Sequence, residues 1–418
     1  MKPSLCHNGS DVLMLGFDYE LRCRGFAGNA CQIILELADS IDPTQLEQRL
    51  AELVRQYPVL CARPVRGFNP HWQPTRHRPQ VRVHAPAPDF AQKLFNEPLA
   101  LQRGELIRFD LFGRTLIFTW SHALMDAKSA EYFLAALGAD TVPILESGTD
   151  WYAQRTALPG NLRARAREAW RELERLDQFQ KALPVSLATR RPPTAPRMNY
   201  RFAHLSVADT ARINAHATRL GGFLGETNFR LAVALLELHR LHERLGCPSP
   251  SYVVPLAVNL RPKGTRAPLF SNQITMLLHQ FFPAQLTELS TAIAAIKTCK
   301  AESLRHAHLD AGIAMAQLFR ALPLRLYMWL VKHELRGEIC SLFFGDPGVV
   351  DSALDTFLGT RIESLVHVPA VTMPPGIGLV FSQFRNQLSF TLVTAEGTLT
   401  ETEAEEFVQH LHAHLLNP

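Results

Sequence analysis

The chain has 418 residues, 47% of them hydrophobic and 20% charged, and a formal net charge of +4. That length provides for about two to three domains with sizeable cores, and the composition excludes wholesale disorder. The charge is compatible with anionic substrates but, without a clustered basic stripe, is too small to argue for nucleic acid, and no nucleic-acid partner is expected.

The opening stretch, MKPSLCHNGSDVLMLGF, has no charged start followed by a sustained apolar run and a small-residue cleavage site, so no signal peptide is expected and the cytoplasm is the expected location. CQIILEL (31–37) reads as a strand, and PTQLEQRLAELVRQY (43–57) as a helix with Pro43 in its first turn and Asp42 as its cap. An extended stretch around PVLCARPV follows. LIRFDLF (106–112) and RTLIFTW (114–120) flank Gly113 as a hairpin, and the second run, apolar on both faces, suits a central strand.

NLRARAREAWRELERLDQFQKA (161–182) reads as a charged amphipathic helix. The stretch after it is rich in Pro and Arg, which sets the division at a first domain 1–182, a linker 183–200 and a second domain 201–418. Helices follow at 207–221 and 226–246, with GGFLGE (221–226) as the turn between them rather than a phosphate loop. SYVVPLAVNL (251–260) and ITMLLHQFF (274–282) are strands, LTELSTAIAAIKTCKAESLRHAH is a long helix, and LPLRLYMWLV (322–331) is too short to span a bilayer. Interrupted by Arg325, it reads as an amphipathic helix packed on a core, with weak membrane association as the lesser reading. GIGLVFSQFRNQLSFTLVTAEG gives two antiparallel strands, and ETEAEEFVQHLHAHLL a closing helix. The fold class is therefore α+β, two halves each with a mixed sheet and covering helices.

Chemistry concentrates at SHALMDAKS, just after the central strand. An apolar strand ending abruptly in polar residues holds His122 on a rigid support. A neutral imidazole there can accept a proton from an alcohol, amine or thiol. The structural alternative is a hydrogen-bonded strand-end histidine. Asp126 suits the cap of the helix beginning at Ala127, or a buried ion pair. A metal site lacks a third and fourth ligand at nearby spacing, and the pair His306 and His308 falls on an exposed helix. Seven scattered cysteines with no CxxC pair argue against a zinc or disulfide framework and for a reducing compartment. A serine hydrolase is disfavoured because Ser121 and His122 point to opposite faces of one strand and no GxSxG elbow is present. Arginines 155, 163, 165, 167, 171 and 175 give the linker helix a basic surface: a solvated face, or a dock for an acidic carrier protein or coenzyme phosphates.

SHALMDAKSAEYFL resembles the HxxxD active-site motif of the coenzyme A-dependent acyltransferase superfamily. That superfamily includes chloramphenicol acetyltransferase, the polyketide-associated and wax-ester acyltransferases and the condensation domains of nonribosomal peptide synthetases. PVLCARP, VPLAVNLRP, LFSNQIT and PPGIGLVFSQFRNQLSF resemble further family segments, in family order over most of the chain. Ser121 stands where the family often has a first histidine, Ala127 where it has glycine, and the plant-type DFGWG motif is absent.

The resemblance implies two chloramphenicol acetyltransferase-like α/β sandwich domains forming a V with a central active-site tunnel, with donor and acceptor entering from opposite ends. It implies His122 as general base in direct acyl transfer, without an acyl-enzyme. The donor would be acyl-coenzyme A or an acyl-phosphopantetheine on a carrier protein, the acceptor a hydroxyl or an amine, with no permanently bound cofactor or metal. Asp126 and Arg261 would support the site as an ion pair, while Ser121, Asn259, Asn272 and Ser382 would contact substrate. A monomer is expected. The alternative implied by the altered residues 121 and 127 is a noncatalytic, condensation-like module that recruits a carrier protein or synthetase.

Overall fold

The computed structural model describes residues 5–85, 87, 89–139, 149–156, 162–222 and 225–418. Residue 161 of the expected linker helix, and residues 223 and 224 of the expected GGFLGE turn, lie outside them. Two six-stranded sheets organise the chain. The first runs, edge to edge, Thr356–Phe357, Thr360–Val368, Ala30–Leu37, Thr115–Ser121, Ile107–Phe112 and Gln80–Val83. The second runs Met198–His204, Gln387–Ala395, Ile377–Phe384, Phe343–Gly345, Tyr252–Asn259 and Ile274–Phe281.

Thr115–Ser121 is central because its alternate residues are buried on both faces. It pairs antiparallel with Ala30–Leu37, Ala30 opposite Ser121, and with Ile107–Phe112 across the Gly113 turn. Gly113 takes φ 59°, the left-handed conformation that a tight hairpin asks of its turn residue. Phe109, Phe118 and Trp120 stack along this part of the sheet, with centroids 4.8 Å and 5.3 Å apart. All three are buried, each contributing about 1.5–3 kcal/mol by leaving water. The last residue before His122 is thus anchored on both sides and by its ladder.

The first sheet draws on both sides of residues 183–200. Thr360–Val368, from late in the chain, pairs antiparallel with Ala30–Leu37 and carries the short strand Thr356–Phe357 at its outer edge. Within residues 183–200 the chain forms the short helix Leu187–Arg190 and enters the strand Met198–His204.

The helices at Pro43–Gln56, Leu162–Asp177, Val207–Gly221, Glu226–Arg244, Leu289–Arg305 and Leu324–His333 fall where periodicity puts them. Asp42 caps the first of these through its Oδ1, 2.9 Å from the Thr44 amide. PVLCARPV is not fully extended: Pro58–Cys61 is a 3₁₀ turn before the strand Ala62–Val65. Leu324–His333 buries Leu324, Tyr327 and Met328 and turns Leu326 and Trp329 outward. Among the described residues no helix is long and apolar enough to cross a membrane.

A further helix, Gly9–Cys23, was not anticipated. Val12, Met14, Leu15, Phe17 and Leu21 are buried in it together with Asp11, Asp18 and Glu20, and it packs against His308–Phe319 and Leu324–His333. Two glycines permit the close approach: a Cβ at Gly9 would lie 2.6 Å from the Ala316 backbone, and one at Gly16 2.5 Å from the Met328 sulfur. Asn8 and Asp11 close its N-terminus as a reciprocal capping box.

Candidate active site

The loop leaving Thr115–Ser121 is fixed before any catalytic argument begins. The His122 amide donates to the Asn29 carbonyl at 3.0 Å, continuing the ladder one residue past the strand. The Trp120 indole Nε1 donates to the Met125 carbonyl at 3.1 Å, so the buried ring holds the far end of the loop. Asp126 then caps the helix Ala127–Gly138, its Oδ1 accepting from the Ser129 amide at 2.9 Å. Ala127 is the first helical residue, with no left-handed φ, so this loop has no need of the glycine that the family motif carries.

The other Asp126 oxygen faces the second half of the chain. Oδ2 accepts from Arg261 Nη1 at 2.8 Å and from the Gln273 amide at 2.9 Å. Arg261 Nη2 donates to Ser129 Oγ at 2.6 Å and to the Pro268 carbonyl at 3.0 Å. Cap and ion pair were competing roles for Asp126 in the sequence; the carboxylate fills both, one with each oxygen. Burial pushes its carboxyl up, but the Arg261 charge and the bonds from Ser129, Arg261 and Gln273 outweigh burial and hold it below the usual carboxylate range.

His122 is half-buried, and its Nδ1 lies 3.1 Å from Asn272 Oδ1. Asn272 Nδ2 donates to the His122 carbonyl at 2.8 Å and to Asp11 Oδ1 at 2.9 Å, which fixes the amide with its oxygen toward the ring. A carbonyl oxygen accepts and cannot donate. Nδ1 therefore carries the proton and Nε2 presents a lone pair. Burial lowers the imidazole pKa from its ordinary value, against weaker opposing effects from its own backbone, the Asp126 charge and Asn272, so the ring is neutral at neutral pH.

Three consecutive residues of the second half, Ser271, Asn272 and Gln273, reach three residues of the first. Ser271 Oγ and the Asn272 amide bond Asp11, the Asn272 side chain bonds His122, and the Gln273 amide bonds Asp126. Asn272 was expected as a substrate contact, and the structure places it against the histidine. Asn259 is exposed at its strand end, and its Oδ1 accepts from the Arg261 amide at 3.0 Å, shaping the turn that aims Arg261. Ser121 is buried, and its hydroxyl has no hydrogen-bond partner among the described residues. Ser382 is also buried, 2.7 Å from His367 Nδ1, with His367 Nε2 in turn 3.3 Å from Glu131. Among the described residues neither Asn259 nor Ser382 bonds His122.

Asp11 escaped the sequence reading, and Gln273 and Ser129, inside the segments LFSNQIT and SHALMDAKSAEYFL, were not singled out as site residues. Gln273 and Ser129 adjoin motif positions, which is signal enough to have included them; Asp11 sits in the unanticipated first helix and had none. Among the described residues no group of three His, Cys, Asp or Glu side chains could hold a metal ion. On the helix Leu162–Asp177, Arg171 and Arg175 pair with Glu168 and Glu172, while Arg163 and Arg167 are exposed.

Two α+β lobes, with a histidine at a first-lobe strand end hydrogen-bonded to an asparagine of the second, define the fold class, and it is that of the condensation domains and coenzyme A-dependent acyltransferases. The first condensation domain of the calcium-dependent antibiotic synthetase, solved with a substrate analogue, superposes with a TM-score of 0.73 at 15% identity, covering 100% of this chain and 97% of that one. TRI3 trichothecene 15-O-acetyltransferase from Fusarium sporotrichioides gives 0.70 at 13% identity, over 98% and 95%. The starter condensation domain of rhizomide synthetase RzmA, as a mutant in complex with C8-CoA and Leu-SNAC, gives 0.65 at 14% identity, over 99% and 94%. No protein-family model and no curated protein sequence matches the chain.

Proposed function

We propose that this protein is an acyltransferase that moves an acyl group from a coenzyme A or carrier-protein thioester to a hydroxyl or amine, with His122 as general base and no acyl-enzyme. The observation that carries it is the contact of His122 Nδ1 with Asn272 Oδ1, an acceptor, which puts the ring proton on Nδ1 and leaves Nε2 as a base at the end of a rigid strand. An acceptor O–H or N–H hydrogen-bonded to Nε2 loses its proton to the ring as its lone pair attacks the thioester carbonyl. The tetrahedral intermediate then collapses, the C–S bond breaks, and the imidazolium returns the proton to the departing thiolate. Charge is conserved at each step, and holding two substrates across one base supplies much of the rate. Asp126 and Arg261 contribute by fixing the loop that carries His122 rather than by touching substrate.

The likeness to a domain solved with C8-CoA and to an O-acetyltransferase supports the thioester donor and the nucleophilic acceptor. A phosphopantetheine arm and its acidic carrier would approach the exposed Arg163 and Arg167 on the helix Leu162–Asp177. The protein would work as a monomer in the cytoplasm, with its lobes in the V described for the superfamily.

The test is incubation of the purified chain with a panel of acyl-coenzyme A and acyl-carrier thioesters and with alcohols and amines, followed by mass spectrometry of acceptors and assay of released thiol. Acylated acceptor formed with stoichiometric thiol, and lost in His122→Ala, is the expected result. Binding of a carrier protein with no thiol release and no acylated product would favour the noncatalytic module.

A further inference from the structure

Asp11 is an ionisable side chain bonded directly to Asn272 that the acyl-transfer mechanism leaves unexplained. It is buried in the first turn of Gly9–Cys23, and its two oxygens do different things. Oδ2 accepts from the Asn8 amide at 2.9 Å and from Ser271 Oγ at 3.3 Å, which serves the helix cap. Oδ1 is given wholly to Asn272, accepting from its backbone amide at 2.7 Å and from Nδ2 at 2.9 Å. A capping box needs the first oxygen alone. A buried carboxylate is costly to maintain, and here burial drives its carboxyl up to about 7, against the bonds from Asn272 and Asn8 and with the neighbouring Asp150 charge adding to the rise.

We propose that Asp11 is a positioning residue for His122, acting through the Asn272 amide to keep the imidazole proton on Nδ1 and the Nε2 lone pair exposed. The side-chain amide of Asn272 has two possible orientations. In the observed one, Nδ2 meets three acceptors, Asp11 Oδ1, the His122 carbonyl and, more distantly, the Ala123 carbonyl, and Oδ1 meets His122 Nδ1. Reversed, the oxygen would face these acceptors and the NH₂ would face Nδ1, which would then have to be the unprotonated nitrogen. The proton would move to Nε2 and the base would be lost. Asp11 supplies the one carboxylate among the acceptors that oppose the reversal, beside the His122 and Ala123 carbonyls, and by binding the Asn272 backbone amide it also holds that residue against His122. The functional meaning of this chain of contacts rests on the general-base reading of His122; its geometry does not.

The experiment is ¹⁵N NMR of the histidine rings in the full-length chain, with His122 assigned by its loss in His122→Ala, alongside steady-state kinetics. In the wild type at pH 8, Nδ1 should show the shift of a protonated ring nitrogen and Nε2 that of an unprotonated one, and both Asn272 side-chain amide protons should be protected from exchange. Asp11→Asn sets an NH₂ group against a donor whichever way it turns. The two His122 shifts should then move toward each other as tautomers mix, and kcat should fall by roughly 10–10³-fold with little change in KM. A folded Asp11→Asn or Asp11→Ser protein with wild-type shifts and kcat overturns the proposal. If neither variant folds, the wild type decides: a proton on Nε2, or a freely exchanging Asn272 amide, overturns it. A chain with the expected tautomer and no acyl transfer from any thioester would leave Asp11's control of the ring standing and remove the acyltransferase reading alone.

Discussion

Asp126 and Arg261, 135 residues apart, close a buried ion pair at 2.8 Å that ties the His122 loop to a strand end of the second lobe. Breaking one side leaves an uncompensated charge in the interior, at a cost of roughly 3–5 kcal/mol. Asp126→Ala also removes a helix cap worth about 0.5–2 kcal/mol, so it should destabilise more than Arg261→Ala. A double-mutant cycle by urea denaturation should give strongly non-additive losses. Additive losses would mean that the pair contributes nothing beyond the cap.

His122→Ala should separate activity from stability. The ring has no ion-pair partner, and its removal leaves the Asn272 bonds to Asp11 and to the residue 122 carbonyl in place. Acyl transfer is expected to fall by about 10²–10⁴-fold, the usual worth of a positioned general base. Thermal and urea midpoints should stay close to wild type. Near-normal turnover in the variant would remove the proposed base.

The pH profile of kcat/KM should place the acid limb lower than an ordinary histidine would. The base must be unprotonated, and burial lowers the His122 pKa from 6.5. Activity should therefore persist as pH falls through 6.5 and fail below it. A limb centred above 6.5 would contradict the buried, neutral ring.

Asp11 should leave its own mark on stability against pH, opposite in sign to a salt-bridged carboxylate. Its folded carboxyl titrates near 7 and its ordinary value is 3.8. Between these values the native chain holds a proton that the unfolded chain has lost, so stability is fully present below 3.8 and declines as pH rises toward 7. Denaturation of the wild type and Asp11→Asn across pH 4.5–7.5 should show the difference in stability shifting steadily in favour of the variant as pH rises. A constant difference would exclude the titration.

Charge reversal at Arg163 and Arg167 tests the docking face. If a carrier or coenzyme phosphates approach this helix, the double Glu variant should raise the donor KM several-fold at low salt, the effect shrinking as ionic strength rises, with kcat nearly unchanged. A donor KM insensitive to both changes would assign the arginines to solvent.

Much of the scaffold was legible because its elements carry local signals. The period-two and all-apolar runs gave the strands around Ile33, Phe118 and Val254, and Asp42 announced its helix. Ser-His-Ala-Leu-Met-Asp could be singled out because an apolar strand ends there in titratable residues. What escaped was nonlocal or atypical. Gly9–Cys23 is buried nearly all round, its acidic residues included, and its two glycines are explained by Ala316 and Met328, some 300 residues later. Thr360–Val368 crosses to the first sheet by pairing with Ala30–Leu37, a choice made by partner availability rather than by its own sequence. Asn272 was placed in the site by motif, but its bond to His122 depends on an orientation set by Asp11, and no spacing encodes that.

The late arrival of Thr360–Val368 orders events during synthesis. Until residue 368 has left the ribosome, Ala30–Leu37 stands as an unpaired edge beside Thr115–Ser121, with its backbone groups open to any passing strand. The histidine's own sheet thus closes only after Arg261 and Asn272 have emerged, and before the second sheet receives Ile377–Phe384 and Gln387–Ala395. A nascent chain stalled before residue 356 should depend on chaperones and remain sensitive to proteases near Ile33, whereas one stalled past the end of the second sheet's Gln387–Ala395 should already resist them.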